Sequence, residues 1–447
     1  MTPRARLVLL AFGDFAFNLY WQSVMLFLLF YYTDALELPI GLAAATLMAA
    51  SVWDGIANFL AGVAVDLRRG RARGYAALLV AGSVPLGLGF VLVYLPPVTA
   101  GSWGVAGVVA GHLLFRTAYA AVNVPYLAMT ARISADSGDR AFLAGTRMLF
   151  GTAAAVLVAL GTVPLGRWIA GDVEPSRAYL GAAILFALLG TGVLVLVGAT
   201  YREADAPEAP RPPTVRAALT SLAANRAFVT LCAAMMAMVV AVTVLNKSVL
   251  YYFRYLLHDD AGGRLALASM ALVSAVAVPL WMLLARLLGV RAIWYAAVAL
   301  AGAGLLAFAV NEVGSGGAMQ LFLIFMQAAA MGLHFAFWAM LPDTIEWGER
   351  TTGLRVEGAV FGLAALLGRI AIGLATAILG WSFGRAGYVA NVEQSAATLA
   401  AIRWTMVLVP LAALALSCLF MRLNPLGKRA REKVVRGLVA PGTGRRA

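Results

Sequence analysis

Charge is what this chain has least of. Charged residues make up 12% of its 447 residues, against roughly 25% in an ordinary soluble domain, and that scarcity excludes a water-soluble globular domain. Cysteine is almost missing too. Cys232 and Cys418 lie far apart in apolar segments, so they supply neither a disulfide framework nor a thiolate metal site and read as packing residues. The three histidines, His112, His258 and His334, have no metal-ligand spacing, which removes a histidine metal centre. No catalytic pair is evident within the apolar runs and the loops are short, so a membrane enzyme or a sensor is the weakest reading. The net charge of +13 could suggest nucleic acid as a partner, but basic residues flanking membrane spans explain it more simply.

Apolar sequence is what the chain has in abundance, at 62% of residues. The runs are long enough to cross a hydrocarbon core of about 30 Å as helices. They predict spans at 7–32, 40–66, 75–95, 103–129, 141–165 and 178–200, then 227–255, 264–285, 292–310, 318–341, 358–383 and 398–423. The first starts like a signal peptide but is too long and carries Asp14, so it reads as a retained span. The expected organisation is a six-helix bundle over 1–200, a Pro-rich and charged linker over 201–226, a second six-helix bundle over 227–423 and a basic tail over 424–447. Most of the 34 Lys and Arg residues fall on one side if both termini are cytoplasmic, and the positive-inside rule favours that orientation.

This layout predicts an all-α membrane protein of the major facilitator fold, with twelve transmembrane helices in two halves and a solute site between them near mid-membrane. The loop AGVAVDLRRGRARG, with Asp66, Arg68 and Arg71, resembles that superfamily's signature after span two. It serves either as a topology signal or in conformational gating.

Six charges lie deep in the predicted spans, away from their ends: Asp14, Asp54, Arg116, Arg147, Lys247 and Arg369. Each costs at least about 2.5 kcal/mol near the bilayer centre, so each needs a partner or water. Helical spacing aligns His112, Arg116, Tyr119 and Asn123 on one face of span four. Asp14, Asn18 and Trp21 share a face of span one, and Ser51, Asp54, Asn58 and Gly62 one of span two. Span ten adds Gln327, His334 and Trp338, and span eleven Arg369, so a cavity lined from both halves is expected. Lys247, in the outer third of its span, and Arg403 are placed to snorkel to the interface. The aromatic segment LYYFRYLLH reads as an interfacial belt rather than a sugar platform.

Several segments together resemble the glycoside-pentoside-hexuronide:cation symporters: GDFAFNLYWQSVMLFLLFYYTD, SVWDGIANF, NVPYLAM, LPDTIEWGERTTGLRVEGAVFG and GYVANVEQS. The resemblance covers nearly the whole chain. It implies that Asp14 binds sugar hydroxyls, that Asp54 is the first cation-site acid, and that Arg147 stands beside that site. Tyr119 also has its counterpart, and Asp343, Glu346, Arg355 and Glu357 belong to a cytoplasmic gating motif. Four positions depart from the pattern. Asn58 and Asn123 stand where acids are expected, and Leu127 where a tryptophan would stack on a sugar. Arg369 stands where the resemblance implies a lysine.

The expected function is cation-coupled symport of a sugar or glycoside, with a carrier of lysolipids or other amphiphiles on the same scaffold left open. Losing one acid at Asn58 shifts the expected coupling ion from sodium toward a proton, although the amide oxygen can still serve sodium. No cofactor beyond that ion is expected. Two acids against four bases among these six leave a formal excess of positive charge, which favours a substrate with an acidic group such as a uronide, held by Arg369 or Arg116. The expected setting is a bacterial inner membrane, with the lipid bilayer and a small-molecule substrate as partners, no nucleic acid, and a functional monomer.

Overall fold

Hydrocarbon offers no hydrogen-bond partner to a backbone, so each long apolar run satisfies its own amides as a helix. The computed structural model describes residues 3–67, 74–97, 101–133, 137–171, 174–201, 215–311, 314–354 and 356–426. The helices of the first half of the chain are α1 (Pro3–Phe30), α2 (Ile40–Leu67), α3 (Gly74–Val93), α4 (Ser102–Arg132), α5 (Ser137–Ala170) and α6 (Pro175–Thr200). A short α7 (Val215–Ala224) follows. The second half comprises α8 (Arg226–Tyr255), α9 (Asp260–Leu288), α10 (Val290–Val310), α11 (Gly316–Thr352), α12 (Glu357–Arg385) and α13 (Ala396–Leu423). Twelve of these are long and apolar enough to cross a membrane, and every span expected from sequence is among them.

Helix starts follow local chemistry. Asn225, Asp259 and Ser395 each accept a backbone amide of the helix they precede. The linker departs from expectation because VRAALTSLAA, rich in Ala and Leu, is a helix former that the neighbouring prolines obscure. This α7 packs on α11 and α12, and Ser221 shares a 2.7 Å hydrogen bond with Thr352. Arg68, Arg71 and Arg355 of the expected gating motifs lie outside the described residues, as do the side chains of Asp66 and Glu357.

Within the first half, α1 packs on α5 and α6, and α3 on α4 and α6; within the second, α8 packs on α13 and α11 on α9 and α10. The halves meet along α2 with α12 and α5 with α9, while α1 touches α8. Glycines set the closeness of α2 and α12. A Cβ added at Gly380 would lie 2.2 Å from the Ala44 side chain, and one at Gly373 would lie 3.2 Å from Met48 O. The contact continues to Gly55 against Leu366 and then stops: a Cβ at Gly62, Gly358 or Gly362 would meet nothing within 4 Å. The tight seam thus runs from the far face, the one opposite the start of α1 and the end of α13, to about the middle of both helices.

Candidate substrate and ion site

The i, i+4 spacing of Asp54 and Asn58 on α2 puts both on one face. Asn58 Nδ2 donates to Asp54 Oδ1 at 3.1 Å and to its backbone oxygen at 2.7 Å. Asp54 is fully buried. Its Oδ2 has no aligned hydrogen bond but is paired in charge with Arg369 Nε of α12 at 3.0 Å and Arg116 Nη1 of α4 at 3.6 Å. One carboxylate therefore faces two guanidinium groups, one from each half.

Trp21 of α1 lies between those two arginines. The Arg369 guanidinium sits 3.8 Å from its ring centroid and that of Arg116 5.2 Å, distances at which a cation is attracted to the ring face. Arg116 Nε donates to His112 Nε2 at 3.2 Å, which leaves the imidazole proton on Nδ1, facing Tyr32 Oη at 3.5 Å. Tyr119 is buried and packs its ring on Phe17 and Trp21. Asn123, half-buried, follows one turn later.

A second ion pair lies nearby. Arg147 of α5 grips Asp14 of α1 with both Nε and Nη2, the latter at 3.1 Å. Tyr126 Oη donates to the same carboxylate at 2.6 Å, and Asn18 Nδ2 to the Asp14 backbone oxygen at 2.8 Å. This pair is partly exposed, 27% for the Arg147 side chain and 16% for Asp14, whereas Asp54 is sealed.

Spans one, two, four and eleven thus converge as the helical stripes imply, but three expectations change. Arg147 stands on Asp14 rather than beside Asp54, because α5 packs on α1 and brings the guanidinium to that helix. Span ten does not join the cluster. His334 Nδ1 lies 3.2 Å from Ala330 O of its own helix, Gln327 donates to Ser274 at 2.9 Å, and Trp338, 53% exposed, packs edge-on against Phe337. Lys247 does not snorkel: it is buried, with Nζ 3.5 Å from Met25 O of α1. Arg403 does reach the helix ends, donating to Ala309 O and Asn311 O. Asp343 and Glu346 are half-buried near the last turns of α11.

The sequence reading missed a polar cluster at the far face. After Phe30 the chain makes one π-helical turn, Tyr31–Ala35, with Leu36 N bonded to Tyr31 O at 3.0 Å. Such a turn inserts a residue and redirects the side chains that follow. Here Thr33 and Asp34 are buried against the second half. Asp34 accepts from Tyr255 Oη, from Tyr388 Oη at 2.8 Å and from Thr33, and lies 3.7 Å from Arg254 Nε. Asn391, at φ +59°, donates Nδ2 to Asp34 O at 2.8 Å, while Thr33 and Tyr251 share a 2.9 Å bond. Burial, with Tyr251 and Asp34 adjoining, pushes the Tyr388 phenol well above its ordinary pKa, so it stays a neutral donor. The belt expected at LYYFRYLLH is overturned, since Tyr251, Tyr252, Phe253 and Tyr255 are buried where that segment closes on α1. The aspartate of YYTD was the available signal.

The family described as MFS/sugar transport protein matches residues 9–428. The chain belongs to that family. It is a transporter rather than an enzyme, and the resemblance seen in its motifs is borne out. The glucuronide carrier protein homolog of Escherichia coli K12 is 27% identical, covering 95% of this chain and 93% of its own. The inner membrane symporter YicJ of the same organism is 25% identical, covering 89% of this chain and 86% of its own. A solved structure of a bacterial homolog of the human lysosomal transporter Spinster, inward-facing and unoccupied, superposes with a TM-score of 0.68 at 14% identity over 97% of this chain and 98% of that one, which shows a shared fold.

The Asp34 cluster ties α1 to the second half of the chain at this face, and in an alternating-access carrier such a tie is expected to act as a lock. Replacing Tyr388 by Phe removes one donor from a buried carboxylate and is expected to cost the closed arrangement about 1–3 kcal/mol. A cysteine placed at Phe30, which packs on Tyr251, should then react faster with a membrane-impermeant thiol reagent added at that face. Unchanged labelling would remove Tyr388 from the lock.

Proposed function

We propose that this chain is a proton-driven symporter of an acidic sugar or glycoside, with Asp54 carrying the proton. The observation behind this is the surroundings of Asp54: Asn58 Nδ2, Arg369 Nε and Arg116 Nη1 all face its carboxylate. Sodium wants oxygen ligands, and these are nitrogen donors. A proton needs only the carboxylate itself. Protonation removes the one negative charge shared by the two arginines and releases Arg369, which joins the halves at mid-membrane. The freed guanidinium then presents a planar fork to a carboxylate or sulfonate. Proton binding, substrate binding and movement of the halves are coupled through one bond.

With the start of α1 and the end of α13 placed in the cytoplasm, as the Lys and Arg distribution supports, the closed Asp34 cluster and the tight outer seam between α2 and α12 correspond to an inward-facing state. Partial exposure of Asp14, Arg147 and Arg369 then gives the substrate its cytoplasmic exit. Asp14 contributes to the sugar site through the Arg147 pair rather than as a free acceptor. The glucuronide carrier homolog supports the acidic substrate by analogy.

In proteoliposomes, uptake of acidic sugars should follow an imposed inward proton gradient and change little when sodium is replaced by choline. A saturable sodium requirement at constant pH would return the coupling site to a metal ion.

A further inference from the structure

Four basic side chains lie deep in the spans, away from the helix ends, and three of them face a carboxylate: Arg147 that of Asp14, and Arg116 and Arg369 that of Asp54. Lys247 does not. It is 6% exposed, its Nζ has the Met25 carbonyl at 3.5 Å, and among the described residues no carboxylate lies within ion-pair reach of it. Arg116 is within electrostatic range of the same ammonium, so its nearest charged neighbour repels it. An isolated buried ammonium is costly unless an anion meets it for part of the working cycle.

Its place in the fold says when that anion could arrive. Met25 lies one helical turn beyond Trp21 toward the far face, so Lys247 stands just outside the level where Arg116 and Arg369 flank the indole. One turn further along α8, Tyr251 closes on Thr33 of the far-face lock. Lys247 is therefore the first buried cation beneath that lock on the way to Asp54.

Resting on the acidic-substrate reading above, we propose that Lys247 is the specificity-determining contact that receives the substrate's carboxylate or sulfonate as it enters from the far face, ahead of Arg116 and Arg369. A lysine suits such capture because its single charge on a flexible stem imposes little geometry. Arg116 and Arg369 remain committed to Asp54 until that acid is protonated. Lys247 thus selects acidic over neutral sugars at entry, Arg116 and Arg369 hold the acidic group once they are freed, and coupling resides in Asp54.

The test is titration of purified wild type, Lys247→Met, Lys247→Gln and Lys247→Arg with methyl glucuronide, a 6-sulfonated glucose and methyl glucoside, read by calorimetry and by ligand-dependent thermal shift. Wild type should prefer the acidic ligands. The methionine and glutamine variants should lose that preference by at least about tenfold, as expected for a charge-assisted contact, and the arginine variant should keep most of it. Without ligand, Lys247→Met should melt no lower than wild type, since no carboxylate is stranded. The glutamine variant decides should the methionine variant not be purified. An unaltered acidic preference in both neutral variants overturns the role of Lys247 while leaving the acidic-substrate reading intact. A wild type that binds neither acidic sugar, or binds methyl glucoside equally well, overturns that reading and this inference with it.

Discussion

Asp54→Asn is expected to abolish accumulation of substrate against its gradient while sparing exchange across the membrane. The amide keeps the volume of the side chain and can still accept a hydrogen bond, but it cannot take up a proton. Arg369 and Arg116 then never have to be released, and the carrier reorients whether or not a proton is bound. Acidic ligands should still bind, because the two guanidinium groups lose the carboxylate that competes for them. The measurement is uptake of labelled substrate into energised vesicles beside counterflow in the same vesicles. Uphill accumulation at the wild-type level would remove Asp54 from the coupling step, and loss of counterflow together with accumulation would make it a structural residue.

Gly380→Trp should arrest the carrier open at the far face. The added bulk begins 2.2 Å from the Ala44 side chain and 3.2 Å from Ile40 O, and neither helix can yield within a packed interface. The halves can accommodate it only by parting where the Asp34 cluster closes them. Net transport should fall to the background, and the cysteine at Phe30 should be labelled from that face at every stage of the cycle. Gly362→Trp is the control, because a side chain there has open space in the present conformation. It should leave the far face closed and oppose closure at the other. Wild-type transport by Gly380→Trp would show that α2 and α12 do not separate along this seam.

The helices were legible because membrane-crossing length is set by the bilayer and the apolar runs meet it one by one. The stripes Asp14, Asn18, Trp21 and His112, Arg116, Tyr119 were legible for a similar reason, since helical period alone decides which residues share a face. What period cannot give is the rotation of one helix against another. The stripe of Gln327, His334 and Trp338 was therefore assigned to a cavity it does not line, while Arg147 was placed near the wrong acid by the family resemblance, which does not fix how α5 packs on α1. Asp34 was hidden by the π turn at Tyr31–Ala35, which breaks the period just where the chain leaves the membrane. Tyr251 and Tyr255 looked interfacial because burial against α1 depends on the other half of the chain. Lys247 was misplaced by its depth alone: a position in the outer third permits snorkelling, but contact with Met25 O turns it inward.

The most direct measurement of the central claim is proton movement itself. In a weakly buffered suspension of proteoliposomes, adding a transported acidic sugar without any imposed ion gradient should make the external medium more alkaline as the sugar enters. The signal should be the same in sodium-free medium and absent in Asp54→Asn, whose counterflow shows that the carrier is intact. Sugar entry by wild type with no proton uptake, or only when sodium is supplied, would contradict the account.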